Sequence, residues 1–240
     1  MVLYQSEKPA VLGPVRSLRL YDAEWAAPFN ASIGHIGGSQ AALAEVRNGT
    51  YRDIDQFFNA ASYYRSTDRY APHNVYTTFT RLDALNAQKG YTSSSFTGFT
   101  RTDPAPAKVP TSSTVNITIS SLLYNSVYIY DKASNTYLRS QAGAPHLDRE
   151  SGQIAPSVVV ALRVNESTIF QDGYREAITT TGTGAATIFQ NGVATEVNWH
   201  KDSKAAQMTF TDAAGADVPL IRGQTWIAAV PNGSGAVTWQ

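Results

Sequence analysis

No cysteine occurs among the 240 residues, which removes disulfides, thiolate metal sites and cysteine nucleophiles and leaves histidine and carboxylates as the available metal donors. Charge is scarce as well. Only 16% of residues are charged, and 19 Lys and Arg balance 19 Asp and Glu. A net charge of zero excludes the broad positive field by which proteins hold nucleic acid or anionic lipid non-specifically, so no nucleic-acid partner is expected. No apolar run approaches the roughly 18 residues of a membrane helix, and the N-terminus lacks a basic stretch leading into an apolar one, so the chain is read as soluble as it stands. It opens on Met1-Val2-Leu3-Tyr4-Gln5, the end of an extended apolar strand, and a segment upstream is expected. Also missing are a Gly-x-Ser-x-Gly elbow, a Walker A loop, His-Glu-x-x-His and an EF-hand loop. No catalytic residue, metal or cofactor is therefore assigned.

What is present suffices for one large domain or two small ones, with 42% of residues hydrophobic. In the first hundred residues helical and strand periods alternate. Ser17 can cap a helix reaching about Ala27, with Leu18, Tyr21 and Trp25 on one face and Pro28 as its stop. Ala31 to His35 reads as a short strand, and Gly37-Gly38-Ser39 turns it into a helix from Gln40 to Arg47 that Asn48-Gly49 ends. Residues 51 to 76 carry many aromatics in irregular sequence and read as ordered loops. Thr77 or Thr78 opens a third helix that Gly90 stops.

Pro104, Pro106 and Pro110 stiffen a small polar stretch that cannot pack a core. The predicted division falls there, into a mixed α/β domain over 1–108 and a mostly antiparallel β domain over 109–240, an α+β fold class. Strands are predicted at Val115–Ser121, Val127–Tyr130 and Val158–Val164. Asn191-Gly192 between two alternating runs predicts a hairpin. A second hairpin is predicted from Gln207–Asp212 to Val218–Ile221, and strands at Thr225–Val230 and Ala236–Trp239 complete the domain.

Five short motifs then stand in order along the chain. They are Gly13-Pro14-Val15-Arg16-Ser17, His35-Ile36-Gly37-Gly38-Ser39, Ala71-Pro72-His73-Asn74-Val75-Tyr76-Thr77, the run from Tyr137-Leu138-Arg139-Ser140-Gln141 into Gly143-Ala144-Pro145-His146-Leu147-Asp148, and Gly223-Gln224-Thr225-Trp226-Ile227. On these motifs the chain resembles, over essentially its whole length, the bacterial envelope family of unknown function typified by the YerB lipoproteins. The resemblance implies an N-terminal and a C-terminal domain and an extracytoplasmic location. It also implies an export signal with a lipid-anchoring cysteine upstream, so that the membrane is reached only through an anchor this chain does not contain. It carries no activity over.

The most informative constellation is His35-Ile36-Gly37-Gly38-Ser39. A strand ending in a glycine turn that opens a helix aims several N–H groups at one point, with the positive end of the helix dipole behind them. Arg16 can add a bidentate contact and His35 a proton exchanged near neutral pH. Equally, the glycines can simply make the turn, Ser39 cap the helix and His35 fill a strand. His73-Asn74 lies on a loop whose approach Pro72 restricts. If His35 and His73 converge near Arg16 and Arg65, the result is a pocket for anionic groups, with Arg16, His35, Gly37, Gly38, Ser39, Arg65, His73 and Asn74 as its residues. A second polar cluster is expected at Arg139, His146 and Asp148, where two residues of like orientation on an extended segment suit an oriented imidazole or two metal ligands; no third ligand stands at suitable spacing, so structural stapling of the loop is the favoured role. Trp199, Trp226 and Trp239 read chiefly as core.

Two functions follow. The first is a non-enzymatic envelope module that binds an anionic small molecule or cell-wall component through its N-terminal domain. The second is a hydrolase or transferase acting on an envelope polymer, with His35 or His73 as general acid or base and Arg16 stabilising negative charge.

Overall fold

Helix starts in this protein are made by side chains that replace the missing carbonyl acceptors. The Asp22 carboxylate accepts the Arg19 N–H at 3.1 Å and opens α1 (Leu20–Ala26). Ser39 Oγ accepts the Ala42 N–H at 3.3 Å and opens α2 (Gln40–Arg47). Thr78 Oγ1 accepts the Arg81 N–H at 3.3 Å and opens α3 (Phe79–Lys89), which Gly90 ends in a left-handed turn at φ 75°. The first of these helices begins two residues later than a Ser17 cap predicts, with Arg19 in the cap position. Leu18 is held extended, its N–H donating to the Gly37 carbonyl at 3.0 Å and its carbonyl accepting from Ser39 N–H at 2.9 Å, so the chain is committed to a strand-like bridge before it can coil.

The computed structural model describes residues 1–4, 6–169 and 175–240, which fall into two compact units. Residues 1–98, 168–180 and 204–207 form the first. The extended strand expected at the N-terminus is not formed by residues 1–4, and Gln5 lies outside the described residues. Besides the helices, this unit has very short strands: β1 (Ser32–Ile33) beside β2 (Arg52–Asp53) in parallel, and β3 (Tyr64–Arg65) against β4 (Val75–Tyr76). Segment 12–18 links these pairs, since Leu12 bridges Thr77 and Leu18 bridges Gly38. Its core packs Leu18, Ala23, Ala26 and Ile33 against Ala42 and Val46 of α2.

The second unit holds residues 99–167, 181–203 and 208–240. In chain order the remaining strands of both units are β5 (Arg101–Thr102), β6 (Thr114–Thr118), β7 (Ser126–Asp131), β8 (Thr136–Gln141), β9 (Ala144–Pro145), β10 (Leu147–Asp148), β11 (Gly152–Gln153), β12 (Val158–Val164), β13 (Glu166–Ile169), β14 (Arg175–Ile178), β15 (Gly182–Gln190), β16 (Val193–Lys201), β17 (Thr209–Thr211), β18 (Leu220–Ile221), β19 (Thr225–Pro231) and β20 (Ala236–Trp239), of which β14 and the end of β13 belong to the first unit. One sheet runs β17-β16-β15-β12-β19 and the other β20-β6-β7-β8-β9. They face each other across a core of Val115, Ile117, Tyr128, Tyr130 and Tyr137 from one sheet and Val159, Ala161, Phe189, Ala228 and Val230 from the other. With three short helices beside these sheets, the fold class is α+β.

β12 reads Val-Val-Val-Ala-Leu-Arg-Val and is buried on both faces, as an unbroken apolar run between two partner strands should be. The Asn191-Gly192 turn joins β15 to β16 with φ of 57° and 76°, the pair of left-handed positions its type requires. The second predicted hairpin differs. Its turn forms, with the Asp212 carboxylate accepting the Ala214 and Ala216 N–H groups at 2.9 Å. Its two strands then part: β17 pairs with β16, and β18 lies parallel to β5.

Phe189 is fully buried between the sheets. Phe189→Ala is expected to cost about 3–5 kcal/mol, the usual range for a large aromatic deleted from a core. In urea denaturation this reads as a lowered midpoint at unchanged slope.

Candidate functional site

The parallel register of β1 and β2 decides what the glycine turn can do. Ile33 stands opposite Asp53, and the pairing continues with the Gln56 N–H donating to the His35 carbonyl at 2.8 Å. His35 is thereby set against the two carboxylates that follow in alternation, Asp53 and Asp55. Its Nε2 lies 3.0 Å from Asp53 Oδ1, and its Nδ1 lies 2.8 Å from the Gly37 carbonyl and 3.8 Å from Asp55 Oδ1. Both ring nitrogens lie within hydrogen-bond distance of oxygen atoms. His35 is 1% exposed and Asp55 is 0% exposed.

Asp55 is the anion that the turn holds. Its Oδ1 accepts the N–H groups of Gly37 at 3.4 Å and Phe57 at 3.1 Å, and Arg47 Nη2 approaches its Oδ2 at 3.5 Å. The other groups of the motif are also engaged, Ser39 Oγ as the α2 cap and the Ser39 N–H on the Leu18 carbonyl. Gly38 packs so closely on Leu18 that a Cβ there would stand 2.9 Å from its carbonyl oxygen. Nearby, the Tyr63 hydroxyl donates to the Ile54 carbonyl. Burial, then the Asp55 and Asp53 charges, push its pKa up. His35, Gly37 and Ser39 thus belong to an internal network of two carboxylates, an imidazole and a guanidinium.

The remaining predicted residues gather elsewhere in the first unit. Arg16 Nη1 donates to the Pro72 carbonyl at 2.7 Å and lies 3.4 Å from His73 Nδ1. Arg65 Nη1 donates to Asn74 Oδ1 at 2.8 Å. The 66–74 loop carrying His73 and Asn74 is closed by the Ser66 N–H on the Asn74 carbonyl and the His73 N–H on the Tyr70 carbonyl. Arg16, Arg65 and His73 are exposed, and neither guanidinium has a carboxylate partner among the described residues. His35 makes no described hydrogen bond to any of them. One main-chain link joins the two groups, the Ile36 N–H on the Arg16 carbonyl at 3.1 Å.

In the second unit Arg139 and His146 meet, and Asp148 does not join them. Arg139 is 4% exposed. It donates to the Tyr128 hydroxyl at 3.2 Å, Gln141 Oε1 at 2.9 Å, Ser126 Oγ at 3.4 Å and His146 Nδ1, and its guanidinium stacks 4.1 Å from the Trp226 ring centroid. Asp148 instead accepts the Glu150 and Ser151 N–H groups of its own turn at 3.1 and 2.7 Å. Burial, then the adjacent Arg139 charge, push the His146 pKa down. Trp199 is buried, Trp226 partly so, and Trp239 is 38% exposed.

Sequence reasoning missed Asp53, Asp55 and Arg47. The signal for the first two was there: carboxylates two apart on an extended segment share a face.

Together these features define a two-part α+β module, a small mixed unit whose strand-to-helix turn holds a buried carboxylate and a β sandwich with an apolar core and one buried arginine. Residues 1–92 match the profile described as "Protein of unknown function (DUF3048) N-terminal domain", and residues 115–227 match its C-terminal domain. The chain belongs to this YerB-like family. It is 29% identical over 237 residues to a Bacillus subtilis (strain 168) protein named "Putative lipoprotein YerB", covering 97% of this chain and 70% of that protein. The crystal structure of YerB from Bacillus subtilis superposes with a TM-score of 0.84 at 26% identity, covering 98% of this chain and 80% of that one. No helix among the described residues is long and apolar enough to cross a membrane.

Asp55→Ala is expected to destabilise the protein by about 1–3 kcal/mol, because it leaves the buried Gly37 N–H and the part-buried Phe57 N–H without their acceptor. A loss under about 1 kcal/mol in chemical denaturation, the worth of one ordinary hydrogen bond, would show that the carboxylate does not hold the turn. His146 sets a pH dependence. Its folded pKa lies below the unfolded value of about 6.5, so the unfolded chain takes the proton first. The stability due to neutral His146 is present above about pH 6.5 and is lost as pH falls through the depressed folded value. Midpoints measured across that window should fall less steeply in His146→Gln than in the parent.

Proposed function

We propose that the protein is a non-enzymatic module of the bacterial cell envelope, lipid-anchored in its full-length form, that captures a carboxylate or phosphate group on an envelope component. The capturing face carries Arg16, Arg65, His73 and Asn74. One observation supports this above others: two exposed guanidinium groups, neither balanced by a carboxylate among the described residues, flank one hydrogen-bonded loop. Surface arginines without a partner are ordinary singly. A pair oriented by Pro72 and Asn74 offers forked donors to a planar or tetrahedral anion. The envelope setting and the anchor are supported by the name of the relative that aligns with 97% of this chain.

His35 and the glycine turn act in this reading as the frame. The contacts of Asp53 and Asp55 with His35 and Arg47 hold the segment whose Ile36 N–H donates to the Arg16 carbonyl. The face is therefore carried on a rigid base, which limits the ordering cost of binding.

Thermal shift against cell-wall fragments, sugar phosphates and inorganic phosphate tests the proposal. Arg16→Ala and Arg65→Ala should each weaken the best ligand by about tenfold or more, the loss of one charge-assisted contact. Parent-like affinity in both variants would place the ligand elsewhere.

A further inference from the structure

The first unit also contains a cavity of about 410 Å³, which uses none of the residues of the Arg16 face. It opens between the end of α1, the connection from α2 into β2, and Tyr91, two residues past the end of α3. Its walls are small, with Ala26, Ala27 and Ala31 on one side and Ala205 at the rim. Gly49, on the same lining, is exposed and meets no atom within 4 Å of a notional Cβ. Its volume falls near the low end of the range for small-molecule sites.

The chemistry of the lining is specific. Asn30, Thr50, Tyr51 and Tyr91 supply polar groups and two aromatic rings, and Arg52 and Lys204 supply cations. Lys204 is neutralised from behind, its Nζ lying 2.8 Å from both Glu24 Oε1 and Glu45 Oε1. Arg52 is not. Its Nη1 donates to the Ser93 carbonyl and its guanidinium lies 5.7 Å from the Tyr91 ring centroid, with no carboxylate partner among the described residues. One uncompensated charge, held in place by a carbonyl and an aromatic ring, sits in a cavity rich in hydroxyl and amide groups.

We infer that this cavity is a binding site for a monosaccharide-sized polyol bearing a single acid group, the acid on Arg52 and the hydroxyl-bearing ring among Tyr51, Tyr91, Asn30 and Thr50. A neutral sugar would leave Arg52 without its anion, and a larger anion would meet only one unbalanced cation. Aromatic rings beside polar side chains suit a ring with an apolar face and a polar edge. A flat apolar ligand would strand the polar lining unpaired.

Isothermal titration of the full chain with glucuronate, glucose and acetate tests this. Glucuronate should bind about tenfold or more tightly than either of the others, with a comparable loss in Arg52→Gln and partial retention in Arg52→Lys. Ala205→Trp, a bulky side chain at an exposed rim position, should block binding while leaving the far-UV spectrum unchanged. Arg16→Ala should bind glucuronate like the parent, which separates this site from the anion-binding face. Glucuronate no tighter than glucose or acetate, or undiminished in Arg52→Gln, overturns the assignment, as does loss of binding in Arg16→Ala. If Arg52→Gln does not fold, Ala205→Trp decides: retained binding rejects the cavity and abolished binding supports it.

Discussion

The strand-to-helix turn of the first unit depends on a carboxylate that water does not reach. Asp55 receives two main-chain N–H groups and faces an imidazole and a guanidinium, so a charge that would be costly alone is surrounded by donors on every side that matters. The polarity of the arrangement explains its place. A glycine turn before a helix concentrates positive potential, and here the protein supplies its own anion. The consequence runs outward through Ile36 to Arg16, whose guanidinium reaches the 66–74 loop. The exposed guanidinium groups of Arg16 and Arg65 stand outside this closed interior network.

The β sandwich shows the opposite solution for a buried cation. Arg139 has no carboxylate among its described partners. Its donors go to the neutral acceptors of Tyr128, Ser126, Gln141 and His146, and its flat face to Trp226. Guanidinium tolerates this better than ammonium because it is weakly hydrated and can stack. The arrangement makes the neutral form of His146 part of the packing, which ties the sheet edge carrying β9 to proton concentration.

Legibility in the sequence followed the range of the interactions. The helix ends at Thr78 and Gly90 and the Asn191-Gly192 hairpin are set by neighbours a few residues away, and the structure forms them where their side chains and φ requirements indicate. β12 was readable because burial on both faces leaves an uninterrupted apolar run. β8 was not read as a strand, since its inward positions are Tyr137 and Arg139 and a buried arginine breaks the pattern that periodicity looks for. The candidate site divided in the same way. The loop partners Arg65 and Asn74 lie nine residues apart and can be guessed. Asp55 faces His35 only once the β1 and β2 register is known, with α2 intervening. The alternation rule that suits Asp53 and Asp55 was applied instead to His146 and Asp148, where a local turn claims the carboxylate.

Lys204 has a consequence of another kind. The ammonium that joins Glu24 on α1 to Glu45 on α2 comes from a position more than a hundred residues beyond the last helix. A fragment ending at the proline-rich stretch would keep both acids and lose their counterion, leaving two like charges across a helix pair. The compact unit that holds the helices therefore draws on residues 168–180 and 204–207 as well as on the first 98, and a single cut through the chain separates these pieces.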